Sequence, residues 1–385
     1  MPQYDVIVIG AGPAGAIASK CCAEKGISTL LLEKERIPRF KLCGGAVTMS
    51  ALSHLDFGIE KELIERECYG ERVHFKHHHV EGRRNSPVAI FVSRDKFDAY
   101  LVSKAVDAGS ELHEGESATS IKPEQSKIAV KTKKETYSAE VLIGADGVNS
   151  LCSSYVREFT MPEELALCIA AEIPATNEDV DEYIDNAAAI HYGVSELGYG
   201  WVFPKEKHFS AGICGILTCM KNPKERFRNF LKRLGFRTDV VTHAHLIPSG
   251  GYEREVCSER IILVGDAAGF VDPSYGEGIK YAFISGKLAA ERVVESYENG
   301  DFSKQALDSY KDDCYNSFGE NLEYSLRLTR LVHTYPGIFF RVLSSDKRVI
   351  EKGLDLLTER MDYKEYTKWL VPRVPYFMLK RLLPF

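Results

Sequence analysis

The chain has 385 residues, 44% of them hydrophobic and 27% charged, the balance of a globular protein large enough for two domains or one domain with a substantial insertion. Its formal net charge of −6 gives no reason to expect nucleic acid as a partner. No run reaches the roughly 18 apolar residues of a membrane span, and the ten cysteines lack paired spacing, so they read as reduced thiols of a cytoplasmic protein rather than as disulfides, zinc ligands or an iron–sulfur set.

The opening stretch, YDVIVIGAGPAGAIASKCCAEKGISTLLLE, predicts strand, glycine turn, helix, strand and a closing acid. Val6 to Ile9 form a β-branched run, as expected of a parallel strand buried on both faces. Gly10 permits the tight turn, Gly12 lets a pyrophosphate approach the backbone, and Gly15 lets the helix pack closely on the strand. Pro13 and Ala14 complete the turn, and the helix N-terminus favours the pyrophosphate. The second apolar run, from Thr29, ends at Glu33, whose carboxylate can accept hydrogen bonds from ribose hydroxyls, with Lys34 beside it. The unit by itself implies a dinucleotide, NAD or FAD. It is not a secretory leader, because it lacks a basic start, contains Asp5 and is interrupted by the glycine turn.

The next segment carries Pro38 and the trio Cys43, Gly44 and Gly45, followed by a short helix capped by Thr48. Either the glycines only make a turn and the thiol packs as a small hydrophobe, or backbone and thiol lie against a bound ring system. Strands are predicted from Glu71 to Lys76 and from Val88 to Val92, and the intervening His77, His78 and His79 read as an exposed polar turn, since alternate strand side chains point to opposite faces. Arg94 opens a helix with Asp95 as its cap, placing a guanidinium where a phosphate or a cofactor's adenosine end fits, or where a surface ion pair forms.

Lys127 to Lys131 and Thr136 to Ile143 predict a hairpin running into Gly144, Ala145, Asp146 and Gly147. The same construction returns where Arg260 to Val264 leads into GDAAGFVDPSYGEGIK. Between them, strands at 165–173, 188–192, 200–204 and 208–213 predict a mostly antiparallel sheet. Tyr199, Trp201 and Phe203 alternate, so they share one strand face, as core or as the lining of an apolar tunnel. Beyond Asp301 the pattern is helical, with a periodic run from Lys304 to Thr334. The final segment from Lys368 carries four basic and no acidic residues among apolar ones, as in a tail resting on an anionic membrane or docked on its own core.

Three motifs, GAGPAG at 10–15 with Glu33, GADG at 144–147 and GDAAGFVDPSYGEG at 265–278, resemble the flavoprotein superfamily of aromatic hydroxylases, halogenases and geranylgeranyl reductases. NAD dehydrogenases lack the last two. Within that superfamily, PRFKLCGGAVT at 38–48, SRDKFD at 93–98 and YGWVFPK at 199–205 look like the geranylgeranyl reductase family. The resemblance implies an α/β fold: a Rossmann-like FAD-binding domain from 1–60, 93–160 and 255–300, an inserted antiparallel substrate domain from 61–92 and 161–254, and a helical region at 301–385. FAD would be held by Gly10, Gly12, Pro13, Ala14, Gly15, Glu33, Lys34, Arg94, Asp146 and Gly147, with Cys43, Gly44 and Gly45 beside it. Gly265 and Asp266 would meet its ribityl or pyrophosphate part, and Gly276, Gly278 and Ile279 would bring a helix N-terminus to the flavin ring, whose reduced form carries negative charge there.

The resemblance further implies that reduced flavin saturates the double bonds of a geranylgeranyl or polyprenyl lipid held by Tyr199, Trp201 and Phe203. An isolated alkene is not an electrophile, so hydride transfer calls for a proton donor, for which Cys43 is the first candidate and Tyr199 the second. The external electron donor is NADPH or a small protein such as ferredoxin, since no second glycine fingerprint is present. The protein would be cytoplasmic, with peripheral contact to the cytoplasmic membrane face. Two other readings keep FAD: a monooxygenase or hydroxylase of the same superfamily, and a non-catalytic electron-relay protein at a membrane.

Overall fold

Val6 to Val8 have no exposed surface because they lie in strand Gln3–Ile9, which has a parallel neighbour on each side. These details come from a computed structural model that describes residues 1–124, 126–158, 161–250 and 253–380. The chain clusters into two units.

The first unit comprises residues 1–41, 95–160 and 250–320. Its sheet runs in the order Cys257–Ser258, Ile261–Leu263, Thr136–Gly144, Gln3–Ile9, Thr29–Glu33, Glu111–Glu114. All neighbours from Ile261–Leu263 onward are parallel, so the three apolar runs far apart in sequence end at one edge, where ligands bind in such sheets. Ile128–Thr132 and Ala118–Pro123 extend Thr136–Gly144 as an antiparallel ribbon. Helix Pro13–Glu24 packs on helix Ile279–Asn299. A side chain at Gly286 would stand 2.7 Å from the Ala14 carbonyl, so only glycine allows that approach.

Helix Lys304–Cys314 continues through a π-helical turn at Tyr315–Gly319 into helix Glu320–Thr334. The periodic run is therefore helical throughout, with one bulge. Buried Tyr310 donates to the Leu263 carbonyl at 2.9 Å, and this tie explains why residues up to 320 cluster with the first unit rather than with the C-terminal helices.

The second unit comprises residues 42–94, 161–249 and 321–385. Its seven-stranded sheet has the order His243–Pro248, Leu165–Pro174, His208–Ile216, Gly198–Pro204, Ala187–Tyr192, Gly70–Phe75, His78–Arg83. Every pair is antiparallel except Ala187–Tyr192 beside Gly70–Phe75. Strand His243–Pro248 and helix Pro223–Arg233 add to the expected elements. The helix is mostly charged, yet Phe227, Phe230 and Leu231, at amphipathic spacing, bury against Ile169, Val202 and Ile213 on one sheet face.

A small sheet pairs Ala89–Phe91 with both Ala46–Thr48 and Arg66–Cys68. This pairing draws residues 42–60 into the second unit, not the nucleotide-binding one. Thr48 caps helix Met49–Ser53, its Oγ1 accepting from Ala51 N at 2.9 Å. The next helix begins at Arg94, so Asp95 lies within its first turn, where its charge complements the helix dipole, and not at the cap. His77 to His79 are exposed, but only His77 lies in the turn: His78 and His79 begin strand His78–Arg83, paired with Gly70–Phe75, and among the described residues no group of His, Cys, Asp and Glu could hold a metal. No described helix is long and apolar enough to cross a membrane.

Candidate functional site

The glycine turn shows what each glycine is for. Gly10 has φ +101°, and a β-carbon there would meet the Ala145 carbonyl oxygen at 2.4 Å. A β-carbon at Gly15 would meet the Gly10 oxygen at 1.9 Å. These two glycines lock the first turn against the helix and against the turn at 144–147. Gly12 differs: the nearest atom to a β-carbon there is Arg39 Nη2, at 4.0 Å. At the mouth of helix Pro13–Glu24 the backbone thus opens onto space bounded by a cation, which fits a pyrophosphate.

Glu33 closes the second strand, 3% exposed. Its Oε2 accepts from Ala11 N and its Oε1 from Glu35 N, both at 3.0 Å. The carboxylate therefore braces the turn, which leaves only its remaining lone pairs available to a ligand. Arg39 joins the acids, with Nε 3.4 Å from Glu33 Oε2 and Nη1 3.1 Å from Asp98 Oδ2. Arg39 and Asp98 form a buried ion pair beside the glycine turn that the sequence motifs did not point to. The signal was a basic residue in the loop directly after Glu33.

Asp146 uses its carboxylate on its own turn, accepting from Ser150 Oγ and from Leu151 N at 2.6 Å and Cys152 N at 3.1 Å. At the third motif, Gly265 takes φ +54° with Ala14 Cβ 2.9 Å from where a side chain would start, so this turn seats on the mouth of the first helix. Asp266 follows at once, with Oδ1 3.4 Å from the β-carbon position of Gly278. Asp272, 1% exposed, holds the loop: its Oδ1 accepts from Ser274 N at 2.6 Å, and its backbone pairs with Glu277 and Gly276 at 2.9 Å. Gly276 has φ +66°. Gly278 then caps helix Ile279–Asn299 without a side chain, leaving the first-turn N–H groups directed outward beside Asp266.

In the second unit, Cys43, Gly44 and Gly45 form a turn in which Gly45 N donates to Cys43 Sγ at 3.4 Å. A β-carbon on Gly44 would lie 2.6 Å from two Phe203 ring carbons and 3.3 Å from Trp201 Nε1. The backbone therefore rests on the aromatic face of strand Gly198–Pro204. Trp201 is 6% exposed, and its buried Nε1 has no acceptor among the described residues. Tyr199 and Phe203 are half-buried around it, with Leu42 and Tyr192. Gly45, at φ +71°, has Val92 O 2.2 Å and Lys205 Nζ 2.4 Å from its β-carbon position.

Residues 3–323 match the FAD binding domain family. A digeranylgeranylglycerophospholipid reductase of Methanosarcina acetivorans is 30% identical over 84% of this chain and 83% of its own length. The chain belongs to the geranylgeranyl reductase family of FAD-dependent oxidoreductases. The chloroplastic geranylgeranyl diphosphate reductase of Arabidopsis thaliana is 28% identical over 94% of this chain and 79% of its own length. The crystal structure of a geranylgeranyl bacteriochlorophyll reductase-like protein from Thermoplasma acidophilum has the same fold, with a TM-score of 0.81, 22% identity and coverage of 100% of both chains.

In this family member FAD fits the first unit, where Gly10, Gly12, Pro13, Ala14, Gly15, Glu33, Gly265, Asp266, Gly276, Gly278 and Ile279 gather at one edge of the parallel sheet. When bound, FAD supplies two-electron chemistry as a hydride. Lys34 is exposed just beyond Glu33. Arg94, 8% exposed, clusters with the second unit together with Cys43, Tyr199, Trp201 and Phe203. Sequence reading also passed over Lys205, 3% exposed, whose only signal is a lysine ending an apolar strand.

Proposed function

We propose that this oxidoreductase saturates isolated double bonds of a geranylgeranyl or polyprenyl lipid. One observation carries the reading beyond the family: the Cys43 turn lies directly on the aromatic face of Trp201 and Phe203. Lipid seated on that face meets a mainly apolar surface that also includes the buried thiols of Cys168 and Cys214, with Cys43 on the turn that rests on it. Cys43 supplies the proton to one alkene carbon while the hydride goes to the other. Trp201 and Phe203 exclude water and hold the chain in register, which is where alignment lowers the barrier. Lipid access is by peripheral contact of the last described helices with a membrane surface. Val371 and Tyr376 are 47% and 56% exposed beside exposed Lys368 and Arg373, while Leu370 and Phe377 are buried; residues 381–385 of this tail lie outside the described residues.

The test is anaerobic. Holoenzyme reduced chemically is mixed with a solubilised geranylgeranyl lipid. The expected result is flavin reoxidation matched by gain of two hydrogens per saturated bond in the lipid mass. No anaerobic reoxidation, with oxygen uptake on an aromatic substrate instead, would establish the hydroxylase reading. The same apparatus, run with NADPH and with ferredoxin, identifies the electron donor.

A further inference from the structure

Lys205 follows strand Gly198–Pro204. It is 3% exposed, unusual for a lysine, whose charge is costly to remove from water. Its Nζ donates to the Val92 carbonyl at 2.6 Å and stands 5.7 Å from the centre of the Phe91 ring. Val92 in turn donates its N–H to the Gly45 carbonyl at 2.8 Å. Gly45 is thus flanked by Lys205 Nζ, 2.4 Å from its β-carbon position, and by Cys43 Sγ, which accepts from its N–H at 3.4 Å. One glycine brings a buried amine and a thiol together, and no side chain larger than hydrogen fits between Val92 and Lys205 there.

We propose that Lys205 is the positioning residue of Cys43: it locks the Cys43 turn through Val92 and offsets the negative charge left on sulfur when the thiol gives up its proton. This rests on the reductase reading for its purpose, though not for its test. The proton balance is simple. The S–H bond breaks, the proton joins an alkene carbon, the electron pair stays on sulfur, where the Lys205 ammonium offsets its charge, and the sulfur later regains a proton from solvent. Desolvation lowers the Lys205 pKa and Arg94 adds to this, while Glu65, Glu172 and Cys43 oppose it and favour the ammonium. Those are the charged or titratable groups that act on it. Glu172 is held by His208 at 2.9 Å, and Glu65 by Ser93 and by Glu206 N at 3.4 Å.

The experiment follows alkylation of each cysteine by iodoacetamide in the oxidised holoenzyme, resolved by peptide mass spectrometry. In the unmodified protein at neutral pH, Cys43 should react about tenfold faster than half-buried Cys21 and Cys219, because a neighbouring cation offsets charge on the attacking sulfur, an effect of about 1.5 kcal/mol or more. Lys205→Met should slow Cys43 alkylation about tenfold and lower kcat of lipid reduction with little change in KM, and Lys205→Arg should restore most of both. A purely structural lysine predicts the opposite sign, since a loosened turn exposes Cys43 and speeds alkylation. Unchanged or faster alkylation in FAD-replete Lys205→Met overturns the proposal, as does a Cys43 no more reactive than the reference thiols, a result that needs no variant to fold. Absence of lipid reduction by the unmodified protein, with thiol reactivity as proposed, would instead count against the reductase reading.

Discussion

Alanine at Gly12 and at Gly15 adds the same methyl group at two points of one turn, with different expected consequences. At Gly15 the new carbon would lie 1.9 Å from the Gly10 carbonyl oxygen and 3.0 Å from Ala145 Cβ. Neither is the far end of a flexible side chain, so the backbone must move by more than an ångström-scale adjustment allows, at about 3 kcal/mol or more. At Gly12 the new carbon meets nothing nearer than 4.0 Å, and losing glycine at an N-cap costs about 1 kcal/mol or less. That open space is where the pyrophosphate fits, however, and pushing it off the helix N-terminus forfeits one charge-assisted hydrogen bond, about 1.5–3 kcal/mol, or roughly 10- to 100-fold in FAD affinity. Thermal melts of the apoprotein and flavin-fluorescence titrations separate the two. Gly15→Ala should melt several degrees lower, and Gly12→Ala should melt near the parent yet bind FAD weakly. Parental FAD affinity in Gly12→Ala would refute the assignment of that opening to the cofactor.

Arg39→Ala should leave two buried carboxylates, Glu33 and Asp98, with 4% and 2% side-chain exposure, without their shared cation. A loss of about 3 kcal/mol is expected, read as a lower denaturant midpoint together with weaker FAD binding, and an unchanged midpoint would contradict the pairing. Cys43→Ala should retain stoichiometric FAD while lipid reduction falls at least about 100-fold, checked by single-turnover flavin reoxidation; parental rates would remove Cys43 from the chemistry. Stacked His74 and His191, with centroids 4.2 Å apart, are held by burial at pKa values of about 4 and about 3. Their folded values lie below the unfolded value of about 6.5, so the unfolded state takes up protons first and stability falls as pH drops from about 6.5 toward 4, by an amount on the order of a few kcal/mol. His191→Phe should flatten that acid limb in urea titrations across the range, and an identical pH slope would show that the pair does not set it. Val371→Ser with Tyr376→Ser should weaken flotation with anionic liposomes several-fold, and equal flotation would place the membrane contact elsewhere.

The sequence by itself determined what depends on local chemistry. A β-branched run followed by glycines at fixed spacing permits one turn, and Gly10, Gly15 and Gly265 stand where close backbone approach or positive φ leaves no room for a side chain. Strand periodicity likewise located most of the second unit's sheet. Local pattern did not reveal helix Pro223–Arg233, because three buried side chains on a charged helix carry little average signal, nor strand His243–Pro248, whose first half is polar.

Only the tertiary structure decided how acids and bases share their bonds. Asp146 and Glu33 look alike in sequence as ligand-facing carboxylates, yet Asp146 accepts from Ser150 Oγ and two backbone N–H groups of its own turn, and Glu33 from Ala11 N of the distant glycine turn and from Glu35 N, because buried acceptors must be satisfied wherever donors converge. Arg39 meets Asp98, and Lys205 meets Cys43 by way of Val92 and Gly45, across sequence separations that no periodicity spans. Burial of a charge is a property of the assembled fold, so the groups whose chemistry is most perturbed are the ones a linear reading passes over.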